Sequence, residues 1–250
     1  MKRKATGRLE FALEDQLLRI VERDVSAHFV PRGSRKVRRF IKLPVGMIVP
    51  DLVLVATPKQ ARGAKRTNRV PSLFECAILA TLLRRGPLTR TRLAGLLYTR
   101  GSSLDRAVIR LIRDKLLRSN LSGLLAVRKS SFPARINIVS IEAKLRRWKD
   151  AIRQAREYRP FSNRSYVALP KTVIEGNQRL QRACAASGVG LIAVSPKRTE
   201  LVLATKNAKP ITAEWVWLVR KAASLSKTAR RVSYTNGHYG AASSRNRSNA

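Results

Sequence analysis

Two apolar runs stand out along the chain, Val45–Ala56 (VGMIVPDLVLVA) and Ile136–Ile141 (INIVSI). Both are dominated by β-branched residues and are short, so each predicts a strand. Around them the spacing is helical. Leu9, Leu13, Leu17, Ile20 and Val21 recur at intervals that predict a helix over 9–23. After the second run the pattern alternates: a helix over 145–158, a strand over 164–169, a helix over 173–187, a strand over 189–194 and a short strand over 201–204. A last helix over 212–225 carries Trp215, Leu218 and Val219. This alternation predicts an α/β fold, a mixed sheet flanked by helices.

The stretch between the two runs has a different character. Residues 32–42 form a basic segment rich in turn signals, and 57–69 reads as a linker with Pro58, Gly63, Lys59, Arg62, Lys65 and Arg66. Helical spacing then returns over 73–84 and over 90–97, with Thr89 as an N-cap. A third helix starts at a capping-box-like Ser102-Ser103-Leu104-Asp105 and runs to about Leu117. It buries Leu104, Val108, Leu111, Ile112 and the stem of Lys115, and turns Arg106, Arg110 and Arg113 to another face. Gly123, set between two short apolar runs in 121–129, predicts a small hairpin. Three helices and a hairpin in this order resemble a winged helix-turn-helix. From Ser226 onward Ser, Asn, Arg, Gly and Ala dominate, and a disordered basic tail is expected over 226–250.

Charge narrows the partner. The chain holds 52 Lys and Arg against 15 Asp and Glu, a formal net charge of +37, with 44% hydrophobic residues to build a core. Such an excess attracts polyanions with a steeply salt-dependent affinity, so the expected partner is nucleic acid, most simply double-stranded DNA. No apolar run reaches 18 residues, and Met1-Lys2-Arg3-Lys4 leads into an amphipathic segment rather than a signal peptide. The expectation is a cytoplasmic, nucleoid-associated bacterial protein with no membrane partner. Cys76 and Cys184 lack metal or redox spacing and read as reduced, buried thiols. His28 and His238 have no ligand-spaced partners, and Trp148, Trp215 and Trp217 read as core or rim. No Gly-rich phosphate loop, Ser-His-Asp set or zinc spacing is present in the sequence.

The chemistry lies at the ends of the two apolar runs. Pro50-Asp51 sits in the first, and Glu142-Ala143-Lys144 ends the second. Strand alternation puts Asp51, Val53 and Val55 on one face, and likewise Ile138, Ser140, Glu142 and Lys144. The two segments resemble the PD-(D/E)xK nuclease superfamily, the restriction-endonuclease-like fold. Gln154-Ala155-Arg156-Glu157-Tyr158 fits the Gln-x-x-x-Tyr element of its RecB-like branch. The resemblance implies that Asp51 and Glu142 hold Mg2+ or Mn2+, with Glu14 supporting the metal and Glu10 competing for that role. It implies that Lys144 positions and deprotonates the attacking water or stabilises the developing phosphorane charge. Gln154 and Tyr158 would orient the metal-bound water and the substrate.

The departure from the family pattern is the separation of the two segments, 142 − 51 = 91 positions, where family members join these strands by a short hairpin. Gly46 also stands five residues before Asp51, unlike the family's Gly-x-x-Asp. A DNA-reading module inserted at 70–129 accounts for the gap, splitting the nuclease core into 1–66 and 130–225. Its candidate DNA contacts are Arg90, Arg92, Ser103, Arg106, Arg110, Arg113 and Arg128, while Arg146, Arg147 and Lys149 follow Lys144 along the expected backbone track. The expected activity is metal-dependent cleavage of DNA targeted by this module. The alternative is a non-catalytic DNA-binding transcriptional regulator on a nuclease-like scaffold; a structural RNA-binding protein is a third reading, from charge alone. A homodimer fits the need to cut two strands, although no dimer signature is visible.

Overall fold

A computed structural model describes residues 11–29, 36–57, 69–132, 136–225 and 231–233. Its strands in chain order are β1 (Lys36–Ile41), β2 (Leu52–Thr57), β3 (Leu117–Ser119), β4 (Leu125–Val127), β5 (Asn137–Ala143), β6 (Arg164–Pro170), β7 (Gly190–Val194), β8 (Thr199–Leu203) and β9 (Arg231–Ser233). The helices are α1 (Glu14–Phe29), α2 (Leu73–Arg85), α3 (Arg90–Leu96), α4 (Gly101–Arg113), α5 (Trp148–Glu157), α6 (Lys171–Ile174), α7 (Gln178–Ser187) and α8 (Ala213–Ser224). Seven strands form one mixed sheet in the order β8-β7-β6-β5-β2-β1-β9, and β3 pairs with β4 separately. β5, β6 and β7 are parallel, whereas β2 is antiparallel to both β1 and β5.

The sheet is covered on both faces, and strand alternation decides which residue goes where. Leu52, Leu54, Val139 and Ile141 pack with Leu17, Leu18 and Val21 of α1. Val53, Val55 and Ile138 pack on the other face with Ala151, Ile152 and Ala155 of α5, Leu180 of α7, and Leu218 and Val219 of α8. β2 and β5 lie at the centre of the order and are buried almost throughout.

Several expectations are corrected in detail. The segment 45–50 is not strand: Gly46 at φ 63 and the pair Val45 N–H to Ile48 O (2.7 Å) and Ile48 N–H to Val45 O (3.2 Å) make it a tight turn, so β2 starts only after Asp51. The basic segment before it contains β1, because Phe40 fills the core and the buried Arg38 donates to the Leu225 carbonyl at 3.2 Å. The first helix begins at Glu14 and leaves Leu13 exposed. The helix expected over 173–187 is broken at Gly176, φ 72, into α6 and α7. Arg231–Ser233, expected as tail, pairs parallel with β1. The linker positions 58–68, Glu10, His238 and the remainder of the expected tail lie outside the described residues.

Between β2 and β5 the expected three helices and hairpin are present, with different boundaries. A reciprocal capping box starts α2: Ser72 Oγ accepts from the Glu75 N–H, and Glu75 accepts from the Ser72 N–H. The Ser102–Asp105 box does not form; α4 starts at Gly101 after Arg100, which makes no side-chain cap. That helix stops at Arg113, and Lys115 is an exposed residue at φ 60 in the turn to β3, so its stem is not buried. β3 and β4 form the hairpin, and Leu88 bridges to Leu125 beside it.

This block is not packed on its own. Its core of Ile78, Leu79, Leu82, Leu93, Leu104, Val108 and Leu111 also contains Val216 of α8, flanked by Trp215 and Trp217. The next residues of α8, Leu218 and Val219, belong to the sheet core. A helix apolar on opposite sides buries both, so α8 joins the two cores. Val216→Ala is expected to cost about 1–3 kcal/mol through lost methyl burial and the cavity left. Thermal melting followed at Trp fluorescence and by far-ultraviolet dichroism should shift by the same amount in both signals; a shift confined to one of them would show that the two cores melt independently.

Candidate active site

The register of β2 and β5 builds the site. Leu52 pairs with Ile141, so the antiparallel ladder continued by one pair sets Asp51 opposite Glu142. The Ala143 N–H donates to Asp51 Oδ2 at 2.9 Å and holds that carboxylate against the end of β5. The Asp51 carbonyl accepts from the Lys42 N–H at 3.0 Å, closing the turn that delivers Asp51. Lys144 leaves the strand with its N–H bonded to the Ala168 carbonyl at 3.1 Å. Its ammonium lies 2.9 Å from Glu142 Oε1 and 3.5 Å from Glu14 Oε2 at the start of α1.

Tyr158 completes the arrangement. It closes α5 at its C-terminal end, and helical side chains lean toward the helix N-terminus, here back toward the C-terminal end of the parallel β5. Its buried hydroxyl donates to Glu142 Oε2. Gln154, one turn earlier on the same helix, is half-buried. Tyr158 thus orients a carboxylate, a more specific role than the one its motif implied.

The electrostatics follow from burial. Glu142 is 2% exposed, and loss of solvent, then the negative charge of Asp51, push its carboxyl well above the usual carboxylate range. Tyr158 and Lys144 pull in the opposite direction without cancelling this. Burial likewise raises Asp51, offset in part by the Ala143 N–H and Lys144. Burial lowers the Lys144 ammonium, but its bond to Glu142 and the charges of Glu142, Asp51 and Glu14 outweigh that and leave it above the ordinary lysine value. Burial and the Glu142 charge raise the Tyr158 phenol, which stays protonated. The site at rest therefore sets Asp51 beside a Glu142 carboxyl pushed up to about 7, with a charged ammonium and a neutral phenol against it.

Among the described residues no group of three or more His, Cys, Asp or Glu is arranged to hold a metal ion. Glu14 is drawn to Lys144 rather than completing such a group with Asp51 and Glu142. Two carboxylates remain, and Mg2+ is commonly held by one or two carboxylates with water and substrate phosphate. Each Glu142 oxygen accepts one hydrogen bond and keeps a second lone pair. Oxygen donors of this kind are those a hard divalent cation takes.

The candidate DNA-contact residues divide clearly. Arg92, Ser103, Arg106, Arg113, Arg146 and Lys149 are exposed. Arg90 is paired with Asp105 at 3.2 Å and Arg147 with Asp150 at 3.6 Å, both at the surface. Arg128 is exposed and donates from Nε to the Leu117 carbonyl at 3.2 Å. Arg110 is different: it turns inward to Glu75 Oε1 at 2.7 Å, and Arg69 binds the other oxygen of the same carboxylate at 2.7 Å. The Arg110 side chain, 42% exposed, is engaged by Glu75 through Nε. Two residues escaped the sequence reading. Lys42 bonds Asp15 at 3.3 Å and its charge reaches Asp51; nothing in the local sequence signals it, because strand pairing brings it there. Glu75 had a readable signal in Ser72-x-x-Glu75. Both cysteines are buried thiols, Cys76 pushed up to about 12 and Cys184 up to about 11 by burial. No described helix is long and apolar enough to cross a membrane.

Comparison of the chain with protein-family models, curated proteins and solved structures finds no match in any of the three.

Proposed function

We propose that this chain is a metal-dependent nuclease cleaving DNA phosphodiester bonds, with a restriction-endonuclease-like core and a winged helix set between its two catalytic strands. The observation that carries the reading is the pairing of Asp51 and Glu142 at one end of neighbouring antiparallel strands, with Lys144 against Glu142. Asp51 and Glu142, 91 positions apart (142 − 51), end neighbouring strands of the sheet, and this adjacency supports the reading. The net charge of +37 supplies the attraction to a polyanion, and a homodimer and nucleoid association follow the same reading.

Asp51 and Glu142 are the residues that would hold Mg2+ or Mn2+, which when bound neutralises phosphate charge and acidifies water. Asp51 is fixed by the Ala143 N–H, and Glu142 by Tyr158 and Lys144, so both carboxylates are oriented before substrate arrives. Lys144, held 2.9 Å from Glu142 with its ammonium above the ordinary lysine value, acts as a cation that donates toward a phosphoryl oxygen as negative charge grows there. Tyr158 keeps its proton on the hydroxyl and binds Glu142 as a donor. Arg146 and Lys149, exposed two and five residues after Lys144, are the cations that would contact the strand backbone.

Because the carboxylates titrate above the usual range, protons compete with the cation earlier than at an ordinary site. Lowering the pH from about 8 to about 6 is expected to weaken Mn2+ binding, measurable by calorimetry; a flat affinity would contradict the site. For cleavage itself, supercoiled plasmid and linear duplex should be cut in Mg2+ or Mn2+ and left intact in EDTA. The three helices and hairpin between β2 and β5 also suit a second reading, a DNA-binding regulator on the same scaffold. Sequence-specific binding in EDTA with no cleavage in either metal would select it.

A further inference from the structure

α4 has two unlike sides. Leu104, Ala107, Val108 and Leu111 are buried against α2, α3 and β3. The opposite stripe, Ser102, Arg106, Ile109 and Arg113, is exposed along its whole length. With Arg110 held by Glu75, this stripe rather than the three-arginine face is what the helix offers a partner. Three of its members are polar or cationic. The fourth, Ile109, is a β-branched residue 59% exposed in mid-helix, where burial gives no reason for it.

We infer that Ile109 is a specificity-determining residue that packs on a thymine 5-methyl group in the DNA major groove, between backbone or base-edge contacts from Arg106 and Arg113. The inference rests on the proposed DNA-binding role and deepens it. The major groove accepts an α-helix, and the thymine methyl is the one apolar group on its base edges. The stripe matches that chemistry, one apolar side chain bracketed by two cations. It also favours DNA over RNA, since the deep, narrow major groove of an RNA duplex excludes side-chain reading and uracil lacks the methyl.

The test needs no cleavage. In EDTA, preferred duplex sites are selected from a random library by the full-length protein, and each thymine of an enriched site is then replaced by uracil. Affinity is expected to fall about 3- to 5-fold at one or two positions, the effect of one buried methyl group. Ile109→Ala should bind the thymine and uracil sites equally, and Ile109→Thr, which keeps a γ-methyl, should retain part of the difference. The melting temperature of Ile109→Ala should match wild type, because the side chain is exposed. Equal wild-type affinity for thymine and uracil sites, or discrimination that survives in Ile109→Ala, would overturn the inference. An unenriched library or a preference for RNA duplex would overturn it too. Failure to bind any duplex DNA would in addition remove the DNA-binding role, whereas metal-dependent cleavage with no methyl effect would leave that role standing.

Discussion

An Arg69→Ala/Arg110→Ala double variant is expected to lose about 3–5 kcal/mol of stability, the cost of leaving a buried charge without its partners. The Glu75 side chain is 1% exposed, while Arg69 and Arg110 are 36% and 42% exposed. The asymmetry decides which member matters most. A released arginine can rehydrate, but the carboxylate at the start of α2 cannot. Glu75→Gln is therefore expected to cost less than the double variant, because the amide keeps the capping position and leaves only solvent-accessible cations. Arg69 also reaches Asp114 at 2.7 Å, so the network ties the entry of the inserted block to the end of α4. Burial raises the Glu75 carboxyl, but the hydrogen bonds from Arg69, Arg110 and the Ser72 N–H outweigh it and hold it at about 2. A depressed carboxylate stabilises fully above its unfolded value, near about 4.3, and loses that contribution as pH falls toward about 2. Urea melts at neutral pH and near about pH 3 should show the wild type approaching the double variant in acid. A constant gap between them would refute the assignment.

Lys144→Ala is expected to slow cleavage by about 100- to 1,000-fold, the usual loss when one preorganised charge donor leaves a reacting centre. The prediction separates two roles. If Lys144 served as a base, Lys144→Arg would be as inactive as Lys144→Ala, since guanidinium does not release its proton. As a cation, arginine keeps the charge but not the geometry, and Lys144→Arg should retain more activity than Lys144→Ala. Single-turnover rates at saturating Mg2+ distinguish these outcomes, and equal rates for the two variants would favour the base. Lys144→Ala also leaves Glu142 facing Asp51 without its 2.9 Å counter-charge. Its carboxyl should then rise further, and cation binding should become more sensitive to acid.

The faces of the candidate site's two strands are legible in sequence because alternation is local to each strand. Glu-x-Lys on an alternating run fixes which side chains share a face, and the buried pattern of β2 and β5 makes them central neighbours. The distance between the halves was legible as well, since the intervening residues changed period from strand to helix. What the residues hid was set by long-range pairing. β1 is masked by Arg38 and Arg39, and the buried Arg38 donates to the Leu225 carbonyl, 187 positions away, a contact no local pattern announces. The turn at Gly46 is made by two backbone hydrogen bonds that composition does not specify. Arg110 sits at helical spacing with Arg106 and Arg113, yet a buried glutamate on a different helix turns it inward. Spacing identifies a face; it does not show which partner waits there.

The most direct test is nicking of supercoiled plasmid in Mg2+ by wild type, Asp51→Asn and Lys144→Ala under identical conditions. Asp51→Asn keeps the shape and an acceptor oxygen for the Ala143 N–H, so loss of function cannot be assigned to loss of fold if its melting temperature is retained. The expected result is conversion to open-circular or linear DNA by wild type alone. Equal nicking by all three proteins would contradict a catalytic centre at Asp51, Glu142 and Lys144.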